Sequence, residues 1–150
     1  MLEQPCPDFT VPSTSGKTFV LSAATKPLVL YFYPKDSTPG CTNESMAFRD
    51  LYGKFAAAGA EVVGLSRDSL KSHENFKAKL GLPFELLSDT EETVCALFDV
   101  IKMKNMYGKQ VRGIERSTFL IGGDGRIVRE WRGVKVPGHA EEVLEAVLAL

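Results

Sequence analysis

The stretch Leu28-Val29-Leu30-Tyr31-Phe32-Tyr33-Pro34-Lys35-Asp36-Ser37-Thr38-Pro39-Gly40-Cys41-Thr42-Asn43-Glu44 changes character near its middle. Leu28 to Tyr33 is a continuous β-prone run, which suits a strand buried on both faces. Pro34 ends it. Thr38-Pro39 then reads as a helix start, an N-cap followed by proline at the first helical position. Cys41 therefore falls in the first helical turn. Unpaired amides and the positive end of the helix dipole face that position, and both favour thiolate over thiol. In open α/β sheets, sites gather at the carboxyl ends of strands, so a reactive residue here stands at a mouth rather than in the core.

Outward from this stretch the periodicity alternates. Phe48, Leu51, Tyr52 and Phe55 share one face of a helix that stops near Gly59. Glu61 to Ser66 reads as a strand. Ser69 to Leu80 reads as a helix with Leu70, His73, Phe76 and Leu80 on one side. Phe84 to Leu87 is a short strand, and Thr90 to about Val100 a third helix with Val94, Leu97, Phe98 and Ile101 inward. Lys102 to Gly113 is polar and reads as an irregular loop. Ser117 to Ile121 and Arg126 to Trp131 are strands joined by the turn Gly122-Gly123-Asp124-Gly125. A last helix places Ala140, Val143, Leu144, Val147 and Leu148 on one face. Upstream, Phe9 to Pro12 and Phe19 to Leu21 flank Ser13-Thr14-Ser15-Gly16 as a hairpin. This order implies an α/β, thioredoxin-like fold: a mixed central sheet flanked by helices, with an N-terminal β-hairpin. No repeat or linker divides the chain, so residues 1–150 are expected to form a single domain.

Composition narrows the function classes. The chain has 150 residues, 44% of them hydrophobic, and a formal net charge of -1. That balance offers no electrostatic grip on nucleic acid or on an acidic membrane surface. The N-terminus lacks a basic segment followed by an apolar one, and the longest apolar runs are too short to span a membrane. A cytoplasmic location is the expectation. The three cysteines, Cys6, Cys41 and Cys95, are odd in number and widely spaced, which argues against a disulfide framework. With no CxxC, and with His73 and His139 far apart, no metal site or cofactor is expected.

The residues around Cys41 each carry a plainer reading. Cys41 could be a small apolar filler, although the Thr-Pro-Gly loop argues against burial among aliphatics. Thr38 could only cap the helix, and Pro34 could only end the strand. Glu44 could merely complement the helix dipole. Arg116, taken alone, is a surface arginine at a strand start.

Taken together, Pro34-x-x-x-Thr38-x-x-Cys41 resembles the peroxiredoxin active-site pattern. The longer string from Tyr33 to Glu44 resembles the peroxiredoxin Q group, also called bacterioferritin comigratory proteins, and the likeness extends from Pro7-Asp8-Phe9 through Arg116-Ser117-Thr118-Phe119 to the final helix. The resemblance implies a thiol-dependent peroxidase that reduces hydrogen peroxide and organic hydroperoxides to water and alcohols. Cys41 would be the peroxidatic cysteine, oxidised to sulfenic acid. Thr38 and the backbone near Cys41, including Gly40, would hold the peroxide, with Pro34 and Glu44 in support. Arg116 would stabilise the thiolate and the developing charge. Thioredoxin, or glutaredoxin with glutathione, would be the reductant, and such relatives are often monomers.

The chain departs from the group in one respect. The two usual resolving-cysteine positions are occupied by Met46 and Lys77. Cys95 and Cys6 remain, the first read as partly buried and structural, the second as lying in a proline-flanked N-terminal segment. A one-cysteine mechanism resolved by an external thiol is the preferred expectation. A two-cysteine mechanism through Cys95 or Cys6, and a thiol redox-sensor or chaperone-like role, stand as alternatives. A thioredoxin-type oxidoreductase would normally carry CxxC, which is absent.

Overall fold

In the computed structural model, which describes residues 1–150, the chain runs β1 (Thr10–Ser13), β2 (Lys17–Val20), β3 (Leu28–Phe32), α1 (Pro39–Ala57), β4 (Glu61–Ser66), α2 (Leu70–Leu80), β5 (Leu86–Ser88), α3 (Thr93–Leu97), β6 (Ile101–Met106), β7 (Lys109–Ile114), β8 (Ser117–Ile121), β9 (Ile127–Arg132) and α4 (His139–Leu148). Seven strands form one mixed sheet in the order β2-β1-β5-β4-β3-β8-β9. β3 pairs parallel with β4 and antiparallel with β8, and all five of its residues are buried. The continuous apolar run is thus explained by neighbours on both edges and layers on both faces.

Alternation along β3 divides the core in two. Val29 and Tyr31 point into a cluster with Phe48 and Phe55 of α1, Phe76 of α2 and Val143 of α4. Leu28, Leu30 and Phe32 point the other way, to Phe9, Phe119 and the α3 region with Val94, Cys95 and Phe98. Tyr31 stacks on Phe48 with ring centroids 4.7 Å apart. Its partner across the ladder is Gly64, where a Cβ would lie 2.7 Å from the Tyr31 ring, so only glycine admits that ring. α2 starts at Ser69, whose hydroxyl accepts from the Ser72 amide, and stops at Gly81 in the left-handed conformation, φ 62°.

Several expectations need correction. Residues 102–113 are not an irregular loop but most of the β6–β7 hairpin, a separate two-stranded sheet turned by Tyr107 and Gly108, both at positive φ. Most of its side chains are at least partly exposed, so no apolar face marked it. The third helix is also shorter than Thr90 to Val100. Glu92 is left-handed at φ 64° and Asp99 at φ 53°, which confines α3 to Thr93–Leu97. The Asp89 carboxylate accepts from the amides of Val94 and Cys95. Leu97 and Leu70, both expected inward, are exposed, and Ile101 belongs to β6.

α4 begins at His139, whose buried ring lies edge-on to Phe48 and Trp131 and whose Nε2 is 2.8 Å from Thr118 Oγ1. Burial lowers its pKa from 6.5 to about 4. The unfolded chain takes up this proton below pH 6.5 and the folded chain resists it to about pH 4. The stability held by the neutral ring is therefore present above pH 6.5 and lost as pH falls toward 4. Denaturant melts at pH 7.5 and 4.5 are expected to show a loss on the order of 2 kcal/mol that His139→Gln lacks. Parallel losses in both proteins would contradict it.

Candidate active site

The loop Tyr33 to Thr38 leaves the carboxyl end of β3 at the centre of the sheet and delivers the chain to α1. Thr38 occupies the N-cap position with extended backbone, φ -83° and ψ 153°. Its hydroxyl does not cap the helix, contrary to expectation. It donates back to the carbonyl of Lys35 at 2.8 Å. Pro39 carries no N–H, and the first-turn amides of Gly40 and Cys41 are left to other acceptors, as at any helix start.

Cys41 is the third residue of α1. Arg116, in the last position before β8, brings its Nη2 to 3.4 Å from the Cys41 sulfur, where the guanidinium donates to Sγ. The same guanidinium donates through Nη1 to Glu44 Oε1 at 2.6 Å. Gly40 makes this approach feasible, because a Cβ there would meet Arg116 Nη2 at 3.1 Å. Cys41, Gly40, Glu44 and Arg116 are thus gathered at one point, with Thr38 at the N-cap of the same helix and half-buried Pro34 on the loop before it.

Two site expectations are revised by burial. Cys41 is only 1% exposed and belongs to the aromatic cluster of Tyr31, Tyr33 and Phe48. The thiol is therefore covered, despite its Thr-Pro-Gly surroundings. The widest surface groove, about 600 Å³, lies elsewhere, among Ser13, Lys17, Lys77 and Glu85, and Cys41 lines none of the surface grooves. Glu44, read as a first-turn acid serving the helix dipole, lies one turn further on and is buried against Arg116. Burial raises its carboxyl to about 7 even though Arg116 pulls it down. Its second oxygen, Oε2, takes no hydrogen bond. Burial opposes the charge on Arg116, but Glu44 and Cys41 beside it outweigh that and raise its pKa.

The sheet separates the cysteines. Cys41 lies in the cluster on one face. Cys95 lies in the cluster on the other, and half-buried Cys6 is packed against that same second cluster. Cys95 is completely buried, more than its expected partial burial, and burial together with the Asp89 carboxylate pushes its thiol well up. Burial also raises Cys6 to about 11. Lys77 is paired with Glu85 and donates to Ser15 Oγ at 2.9 Å. Asp36, Asp68 and His73 place potential metal-ligating atoms within 4.8 Å of one another, but Asp36 and His73 bond each other and the Asp68 carboxylate accepts from Ser66 and from the Asp36 amide. The sequence placed His73 on an inward stripe without signalling that it faces Asp36.

Residues 2–130 match the AhpC/TSA family. The chain is 56% identical to Peroxiredoxin Bcp of Xanthomonas campestris over 152 aligned residues, covering 99% of this chain and 95% of that one. It is 48% identical to Peroxiredoxin Bcp of Bacillus subtilis, covering 96% of this chain and 92% of that one. A solved structure of the Xanthomonas campestris bacterioferritin comigratory protein, studied for alkyl peroxide reduction, superposes with a TM-score of 0.89 at 54% identity, covering 94% of this chain and 90% of that one.

Proposed function

Given that the chain belongs to the AhpC/TSA family, as a peroxiredoxin of the Bcp or peroxiredoxin Q group and hence a thiol-dependent peroxidase, we propose that Cys41 is the residue that reacts with peroxide. The observation that carries this reading is the 3.4 Å approach of Arg116 Nη2 to the Cys41 sulfur in the first turn of a helix. A fixed guanidinium and first-turn amides both stabilise a thiolate, which is the nucleophilic form. The sulfur attacks the terminal oxygen of ROOH. The S–O bond forms as the O–O bond breaks, and the electron pair leaves on RO⁻, which takes a proton to become water or an alcohol. Thr38, Gly40 and the first-turn amides hold the peroxide. Arg116 neutralises charge on the sulfur and on the oxygens as it develops, an effect of the oxyanion-hole kind. Pro34 shields the site, and Glu44 orients Arg116.

The sulfenic acid left on Cys41 is then attacked by an external thiol, which forms a mixed disulfide and releases water. A second thiol reduces that disulfide. Thioredoxin, or glutathione with glutaredoxin, supplies these thiols to a monomeric, cytoplasmic protein acting through one domain, residues 1–150. Support comes from the sheet that stands between Cys41 and both other cysteines, since a disulfide needs Cα atoms within about 7 Å. The Xanthomonas relative has been solved as serine mutants of two different cysteines. The interval between those two, counted from Cys41, ends at Lys77. Oxidation with one equivalent of hydrogen peroxide, followed by peptide mass mapping, is expected to find sulfenic acid on Cys41 and no internal disulfide. A Cys41–Cys95 or Cys41–Cys6 disulfide would favour the two-cysteine alternative.

A further inference from the structure

The loop that precedes α1 holds a buried acid with no part in the chemistry above. Asp36 is 5% exposed, although Lys35 and Ser37 beside it are exposed. Three donors converge on its carboxylate. Tyr33 Oη donates to Oδ1 at 2.6 Å, and Ser72 Oγ and His73 Nδ1 lie 2.8 and 2.7 Å from Oδ2. His73 comes from α2 and is completely buried. Its other nitrogen, Nε2, lies 2.9 Å from the carbonyl oxygen of Leu87 in β5. A carbonyl only accepts, so Nε2 carries a hydrogen. The carboxylate accepts at Nδ1. The ring lies between two acceptors and the Asp36 carboxyl among three polar partners, so none of these buried atoms is left without a hydrogen-bond partner.

The next residue shows what such a link holds. Ser37 sits at φ 64°, a left-handed conformation disfavoured for a residue with a Cβ. Such a conformation persists where neighbouring contacts over-determine it, and it clusters at functional sites. Here the contacts flank it directly. On one side the Asp36 amide donates to Asp68 Oδ2 at 2.9 Å and the Asp36 carboxylate is tied to α2. On the other, the Thr38 hydroxyl is bound to Lys35. Thr38 and the first turn of α1 follow at once. α2 is itself seated firmly, through Lys77 on Glu85, Glu74 on the Ser15 amide and the Leu80 carbonyl on Arg49.

We propose that the His73–Asp36 pair is a positioning device for the peroxide-binding loop, tying it to α2 and β5 so that Ser37 keeps its turn and Thr38 and the first-turn amides meet the peroxide. This rests on the reading of Cys41 as the nucleophile. His73 touches no reacting atom and is a positioning residue. It acts on peroxide placement rather than on the sulfur, and that separates it from a merely structural histidine.

The test compares two reagents on the full-length protein. His73→Gln retains a donor toward Leu87 and loses the one toward Asp36. The second-order rate constant for Cys41 oxidation by hydrogen peroxide, followed by stopped flow on folded protein, is expected to fall at least tenfold. Alkylation of Cys41 by iodoacetamide, mapped by mass spectrometry, needs no peroxide-binding geometry and is expected not to slow. His73→Asn, whose amide takes the place of Nδ1 and still reaches Asp36, is expected to recover most of the peroxide rate. A peroxide rate within twofold of the parent in His73→Gln, or equal slowing with both reagents, would overturn the proposal. Should His73→Gln fail to fold, Ser72→Ala removes another donor to Asp36 from a half-buried position. There a selective loss of at least threefold is expected, and an unchanged peroxide rate would overturn it. Failure of the Cys41 reading itself is separate, since peroxide turnover would then survive in Cys41→Ser.

Discussion

Replacement of Cys41 by serine is expected to abolish peroxide consumption, with a loss of at least about a thousandfold, because the hydroxyl has no accessible anionic form to attack an O–O bond. The substitution is nearly isosteric. Cys41 accepts a single hydrogen bond, from Arg116, and serine offers that donor an oxygen. The far-ultraviolet circular dichroism and the thermal transition should therefore stay close to those of the parent. The pairing of a dead enzyme with an intact fold is the informative result. Retained turnover in folded Cys41→Ser would remove Cys41 from the reaction. An unfolded variant would instead show that the sulfur's main contribution is to the aromatic cluster around it.

The second large effect is expected at Arg116, which serves stability and chemistry through different nitrogens. Arg116→Met keeps much of the side-chain volume and removes the guanidinium. Loss of a fixed charged donor at the reacting centre is expected to slow peroxide attack by about 100-fold or more, in the range of oxyanion-hole donor losses. Glu44 is then left buried without its cation. Removing one partner of a buried pair costs about 3 kcal/mol or more. The sign with pH follows from the acid. Burial already holds the Glu44 carboxyl near 7, above its ordinary 4.5. Such a raised group favours the folded state at low pH and costs stability as pH rises above 4.5 toward the folded value. Without Arg116 that value moves higher still. The variant should accordingly lose more stability, relative to the parent, at pH 8 than at pH 5. Adding Glu44→Met should restore much of the stability and none of the activity, because a buried pair replaced by apolar side chains is often near neutral. Denaturant melts of the two variants at both pH values, beside stopped-flow peroxide rates, check both halves. Equal losses at pH 5 and pH 8 would contradict the assignment of the cost to an ionised Glu44.

Much of this was legible in one dimension, and the illegible part has a common cause. The run Leu28 to Tyr33 announces a buried strand by its unbroken apolar character, and Thr38-Pro39 announces a helix start by local backbone preferences. Both signals are carried by neighbouring residues. The Arg116–Glu44 pair joins residues 72 positions apart, and no periodicity links them, so only the resemblance to known peroxiredoxins singled out Arg116. Glu44 reads as a helix-dipole acid because its partner arrives from the distant link between β7 and β8. His73 was placed on an inward stripe, which is where it lies, yet a stripe assumes an apolar environment and gives no hint of a carboxylate facing the ring. The β6–β7 hairpin was missed for the opposite reason. Its side chains are mainly in contact with water, so its alternation is weak, although Tyr107-Gly108 carried the turn signal. A loop-rich local sequence around Cys41 reads as an exposed site, whereas Arg116 and the aromatic cluster of Tyr31, Tyr33 and Phe48 cover the sulfur.

Cys41 alone is expected to carry the peroxide chemistry. Its most direct measurement uses the variant Cys6→Ser, Cys95→Ala, in which Cys41 is the only thiol. One equivalent of hydrogen peroxide is added in the presence of dimedone, and the rate of peroxide loss is compared with the parent under the same conditions. An unchanged second-order rate and a single dimedone adduct on Cys41 are expected. A rate reduced by tenfold or more in the folded variant, or peroxide consumed with no adduct on Cys41, would contradict it.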